Sequence, residues 1–136
     1  MRYFKYWWPT LCWMALIFYF SSQHRVQVSD DVTVQFLVFK SLHVIEYALL
    51  YMMLYRSFRN TRNDPSWKHR FHAFLIAFTF AITDEIHQVF IPTREGRMRD
   101  VGIDTIGITL AFVYIWKLLP RAPPKLKFWA KKLRLN

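Results

Sequence analysis

Four apolar runs, at about Tyr6–Phe20, Val32–Tyr55, Phe71–Ile91 and Val101–Leu119, limit what this chain can fold into more than any other feature of it. Each approaches the roughly 20 residues with which an α-helix crosses a bilayer core of about 30 Å. Inside lipid, a backbone must satisfy its own polar groups, so a spanning run of this kind is a helix. The expected fold class is therefore all-α membrane, a bundle of four transmembrane helices. A hydrophobic content of 54% and an aromatic content of 19% agree with it, and 136 residues leave room for one domain.

The first run resembles a secretory signal in one respect, since Arg2 and Lys5 precede it. No small-x-small cleavage site follows, however, and Trp7, Trp8 and Trp13 crowd the segment. An uncleaved first helix is expected, with those rings in an interfacial aromatic belt. Cys12 is the only cysteine. That excludes an internal disulfide and a thiolate metal site and leaves a packing residue.

The formal charge of +10 raises the question of nucleic acid, and its distribution answers it. Fourteen of the nineteen Lys and Arg residues fall in three segments: Arg2 and Lys5; Arg56 to Arg70; and Lys117 to Arg134. With four crossings these segments share one side of the membrane, which is the positive-inside signature and places both termini in the cytoplasm. The basic excess reports orientation, and no nucleic-acid partner is expected. Residues 1–120 form the transmembrane domain. Residues 121–136, which alternate basic with aromatic and aliphatic residues, form a basic amphipathic tail suited to an anionic leaflet.

Against this apolar background the charged residues inside the runs stand out. The second run carries Lys40, His43, Glu46 and Tyr47, with positions 40, 43 and 47 on one helical stripe. The third turns polar at its outer end, with Asp84, Glu85, His87 and Gln88, and Pro92 is expected to close it. A short loop with Arg94, Arg97 and Arg99 leads to the fourth, which should start near Asp100. There Asp100, Asp104, Gly107 and Ala111 form a stripe of acidic and small residues that allows close helix approach. His69 and His72 lie at the inner base of the third run and are expected to be interfacial rather than a metal site.

At about 1.5 Å per residue from the inner helix ends, His43 lies at roughly 18 Å, Asp84 and Glu85 at roughly 20 Å, Lys40 and Asp104 at roughly 22 Å, and His87 at roughly 24 Å. Three segments thus bring ionisable groups to one layer in the outer half of the bilayer, and Ser21, Ser22 and Gln23 end the first helix just above it. Charge at hydrocarbon depth is costly unless it is paired or lines a cavity, so the cluster is a candidate functional site, expected to converge on one outward cavity. Histidines beside carboxylates suit acid–base chemistry. Guanidinium groups suit bidentate capture of phosphate or carboxylate.

These residues also carry a resemblance. Ser21-Ser22-Gln23, then Lys40-x-x-His43-x-x-Glu46-Tyr47, then Thr83-Asp-Glu-x-His-Gln-x-Phe-x-Pro with Arg94, Gly96 and Arg99-Asp-Val, then Asp104 and Gly107, resemble the VanZ-like family of small bacterial membrane proteins. The likeness covers about two thirds of the chain, and its portion from Asp84 to Val101 is the specific part. Thr93 departs from it, standing where glycine is expected after the proline. The resemblance implies a multi-pass protein of the bacterial cytoplasmic (inner) membrane acting at the cell envelope. The family is associated with tolerance of glycopeptide antibiotics, teicoplanin above all; that phenotype is not carried over here.

The leading expectation is an enzyme, a hydrolase or transferase, acting from the outer face on an anionic, phosphate-bearing lipid or envelope glycolipid. In it His43 or His87 transfers protons, and Asp84, Glu85, Asp100 and Asp104 orient them or hold a divalent cation. Lys40, Glu46, Tyr47, Gln88, Arg94, Arg97, Arg99, Ser22 and Gln23 contact the head group. The alternative is a non-catalytic head-group binder or accessory membrane subunit, favoured by the lack of a paired Ser or Cys nucleophile and of a glycine-rich phosphate loop. A transporter is disfavoured, since four helices without an internal repeat give little material for alternating access.

Overall fold

The structure, a computed structural model, describes residues 1–23, 30–92, 94 and 96–135. Among the described residues there are five α-helices and no strand: α1 Arg2–Ser21, α2 Val32–Thr61, α3 Ser66–Gln88, α4 Met98–Val113 and α5 Pro124–Lys132. Among the described residues two segments, Val32–Thr61 and Met98–Arg121, are long and apolar enough to cross a membrane. Each of the four apolar runs has become one helix, with ends set by local chemistry rather than hydropathy.

Asp31 starts α2, its Oδ1 accepting from the backbone N–H of Thr33 at 2.7 Å and of Val34 at 3.3 Å. These are donors that the first helical turn otherwise leaves without partners. At its other end α2 runs on through the polar stretch to Thr61, past the expected end near Tyr55. There it is held to α1: Ser57 Oγ donates to the Tyr6 carbonyl at 2.8 Å, and Trp7 Nε1 donates to Thr61 Oγ1 at 3.2 Å. α3 ends at Gln88, before Pro92, and the chain leaves through turns in which Phe90 and Ile91 donate back to His87 and Gln88. α4 begins at Met98 with Asp100 in its first turn. It passes into a π-helical turn, Tyr114–Leu118, and a 3₁₀ turn, Leu119–Arg121, where Pro120 cannot continue the ladder.

α2 is the central helix and packs on α1, α3 and most extensively α4. Tyr47, Leu50, Tyr51 and Leu54 are completely buried along one of its faces. α3 presents Ala73, Ala77 and Ala81 at every fourth position to this face, all fully buried, so the two backbones come close. On α4, a Cβ at Gly107 would run into the Val44 carbonyl of α2, so only glycine permits the observed approach. The outward faces are apolar. Leu11, Leu37, Ile45, Leu75, Ile86, Ile106 and Leu110 are all exposed.

Contacts gather the basic segments at one end. Arg2 Nε donates to the Asn60 carbonyl, Tyr3 OH donates to the Thr61 carbonyl at 3.1 Å, and Asn60 Nδ2 donates to the Arg134 carbonyl at 3.1 Å beyond α5. Ala130 and Leu135 are buried there, whereas Phe128 and Trp129 of α5 stay exposed beside its lysines. His69 is buried with neither ring nitrogen hydrogen-bonded, and burial pushes it below its ordinary pKa. His72 packs against Phe58 and Phe71.

Candidate functional site

The charged residues of α2 and α4 meet because Gly107 allows the two helices to touch. Lys40 Nζ lies 2.7 Å from Asp100 Oδ2, and one turn deeper His43 Nδ1 lies 3.3 Å from Asp104 Oδ1. The Asp104 side chain is almost wholly buried and that of His43 nearly so. With Nδ1–H held by the carboxylate, Nε2 is the nitrogen left to exchange a proton. Asp104 thereby fixes the tautomer and orientation of the ring.

Above this pair, Lys40, His43, Gln88, Arg94, Arg97, Arg99 and Asp100 line a cavity of about 250 Å³ at the loop end of the bundle, with Val32, Phe36 and Phe39 as its apolar wall. Arg99 stands 5.2 Å over the Phe36 ring and its Nε is 3.6 Å from Asp100 Oδ1, while Lys40 lies 5.9 Å from the same ring. Among the described residues the basic groups therefore outnumber the single carboxylate, Asp100, that lines the cavity. Such a lining suits an anion, and its guanidinium groups suit one with several oxygens.

A second cluster lies between α1 and α3. Asp84 is fully buried, and its Oδ2 accepts from Ser21 Oγ at 2.7 Å and from Gln88 Nε2 at 3.0 Å. The Ser22 hydroxyl donates to the Phe18 carbonyl at 2.7 Å, which spends its one proton. His87 Nε2, 2.9 Å away, must then donate to Ser22, while the His87 ring stacks on Phe18 at 4.1 Å. His87 thus closes the junction of α1 and α3 and does not line the cavity.

The remaining candidates divide in the same way. Glu85 is buried beneath the loop, where its Oε2 accepts from the Arg97 backbone N–H at 3.0 Å. Gly96 is required there, because a Cβ would strike the Glu85 carbonyl and the Val89 side chain. Arg94 Nε and an Nη donate to the carbonyls of Gln23 and Phe20, each at 2.9 Å, so Arg94 caps the end of α1 as well as lining the cavity. Glu46 and Gln23 line not the cavity but a second cleft beside it, between α1 and α2. Tyr47 is fully buried in the core, tilted against Phe80, and reaches neither space. Thr93 and Glu95 of the loop, and His24 and Arg25 of the connection between α1 and α2, lie outside the described residues.

The single convergent cavity expected from the sequence is therefore two adjoining clusters. Lys40, His43, Asp100 and Asp104 come together with the loop arginines and Gln88, whereas Asp84, Glu85 and His87 brace the elements around them. Heights along helix axes carry no information about rotation around them, and so do not separate the two. The apolar wall, Val32, Phe36 and Phe39, and the hydroxyl of Ser21 were missed. Phe36 is one turn before Lys40 on its stripe, and Ser21 opens the Ser21-Ser22-Gln23 motif, so helical spacing points to Phe36 and the motif to Ser21. Among the described residues no three His, Cys, Asp or Glu side chains converge to hold a metal ion.

The sequence model of the VanZ/LLP1 family matches residues 6–119, a span that contains both clusters and the loop joining α3 to α4. No curated protein and no solved structure matches the chain.

Proposed function

The chain belongs to the VanZ/LLP1 family and is a membrane protein with two helices apolar and long enough to span, and from this we propose that it acts from the outer face of the bacterial cytoplasmic membrane on a phosphate-bearing lipid or envelope glycolipid. One observation carries the reading: the His43–Asp104 pair opens beneath a cavity lined by Lys40, Arg97 and Arg99. In it the cations neutralise the head group's oxygens. His43 takes a proton at Nε2 from the attacking water or hydroxyl and returns one to the leaving oxygen, while Asp104 holds the ring.

Two further observations support four crossings with both termini in the cytoplasm. All four long helices turn exposed large apolar side chains outward, including Leu11, Ile45, Leu75 and Leu110. The basic segments 2–5, 56–70 and 117–134 gather at one end, the end opposite the cavity. On this reading α5 lies on the inner leaflet with its lysines among anionic head groups.

A second reading, a binder without turnover, is favoured by the lining itself, which contains no Ser, Thr or Cys to serve as nucleophile among the described residues. The two readings part in one experiment. Purified protein in lipid nanodiscs is assayed for product release against isoprenoid phosphates, phospholipids and glycolipids, with and without divalent ions. Turnover of a phosphate-bearing lipid that His43→Ala abolishes while leaving binding intact supports the catalyst. Saturable binding without product supports the binder. A protein that binds no phosphate-bearing lipid contradicts both.

A further inference from the structure

A second cleft, about 620 Å³ and so larger than the cavity, opens between α1 and α2. Its walls are Tyr19, Phe20, Phe39 and Leu42, with Glu46, Ser21 and Gln23 among its polar lining. Three residues line both spaces: Phe39, His43 and Arg94. The two are thus adjoining compartments, one basic and one largely apolar, with the imidazole of the candidate acid–base pair at their boundary. The apolar compartment opens sideways, since Tyr19, Phe20 and Leu42 are about half exposed on the outward faces of α1 and α2.

This arrangement matches an amphiphile that lies across His43. Granted the head-group reading above, we infer that the cleft between α1 and α2 holds the hydrocarbon chain of the lipid whose anionic head occupies the cavity beside α4. The chain enters laterally from the outer leaflet, and the bond joining head to chain comes to rest at His43. Lipid tails are as apolar as the walls of the cleft, so the cleft adds little hydrophobic affinity inside a bilayer. What it contributes is position, as required of a group that must present one bond to one imidazole nitrogen.

The test therefore reads where the chain lies rather than how tightly it binds. Hexadecyl phosphate carrying a diazirine at mid-chain is photolysed with the protein in phosphatidylcholine nanodiscs, and the adducts are mapped by mass spectrometry. Adducts should concentrate on Tyr19, Phe20 and Leu42, and excess unlabelled hexadecyl phosphate, but not hexadecanol, should suppress them. Leu42→Trp, at a half-exposed position that tolerates the larger ring, should lower them several-fold. Adducts spread evenly over outward residues such as Leu75 and Leu110, or undiminished in Leu42→Trp, would overturn the inference. Phosphorus NMR of butyl phosphate, which has too short a chain to fill the cleft, separates the two levels. If it binds while adducts avoid the cleft, the chain site alone fails. If it does not bind, the head-group reading fails and the chain site with it.

Discussion

Lys40 and Asp100 meet at 2.7 Å with side chains only 18% and 12% exposed, so neither charge can be removed without stranding the other in a poorly solvated place. Lys40→Met alone should destabilise the protein by about 3 kcal/mol, and Lys40→Met with Asp100→Leu by much less. Thermal unfolding in detergent across the double-mutant cycle measures this. Near-additive losses would mean that the pair is solvated and structurally idle. Asp104 acts differently, since its role is to hold Nδ1 of His43 at 3.3 Å. On the catalytic reading, Asp104→Asn should lower turnover about 10²-fold or more while changing KM little. A drop in KM-linked binding with unchanged turnover would move Asp104 from orienting the imidazole to holding substrate.

At the scale of helices, the site exists because α2 and α4 touch, and two glycines test that. Gly107 has no room for a side chain against Val44, so Gly107→Ala should cost about 1–3 kcal/mol and weaken the His43–Asp104 contact along with the fold. Gly102, on the same helix, faces open space, and Gly102→Ala should stabilise by up to about 1 kcal/mol through helix propensity. Equal effects of the two changes in a denaturation series would mean that close packing at Gly107 does not matter. Much of this level was legible in the sequence. Hydropathy marked the four helices, and the small stripe ending in Gly107 and Ala111 marked the contact face. The extension of α2 to Thr61 was not legible, because Arg56 to Asn60 read as a polar break and the hydrogen bonds from Trp7 and Ser57 that keep it helical are tertiary. Nor was the division of the acids. Asp84 and Asp104 share a depth, but only packing decides that one faces Ser21 of α1 and the other His43 of α2.

For the whole molecule, the proposed function requires that the basic end faces the cytoplasm and that the cavity under the loop faces out and takes up phosphate-bearing lipid. Val32 tests both at once, because it is 83% exposed and also lines the cavity mouth. In a Cys12→Ser background, Val32→Cys is expressed in intact bacterial cells and treated with a membrane-impermeant maleimide, with Asp64→Cys at the opposite end as control. The same Val32→Cys protein in nanodiscs is then labelled with and without hexadecyl phosphate, and with hexadecanol as the neutral comparison. Position 32 should label from outside while position 64 labels only after permeabilisation, and hexadecyl phosphate should slow labelling at 32 whereas hexadecanol should not. Labelling at 64 but not at 32 in intact cells, or a rate at 32 that hexadecyl phosphate leaves unchanged, would contradict the proposed function.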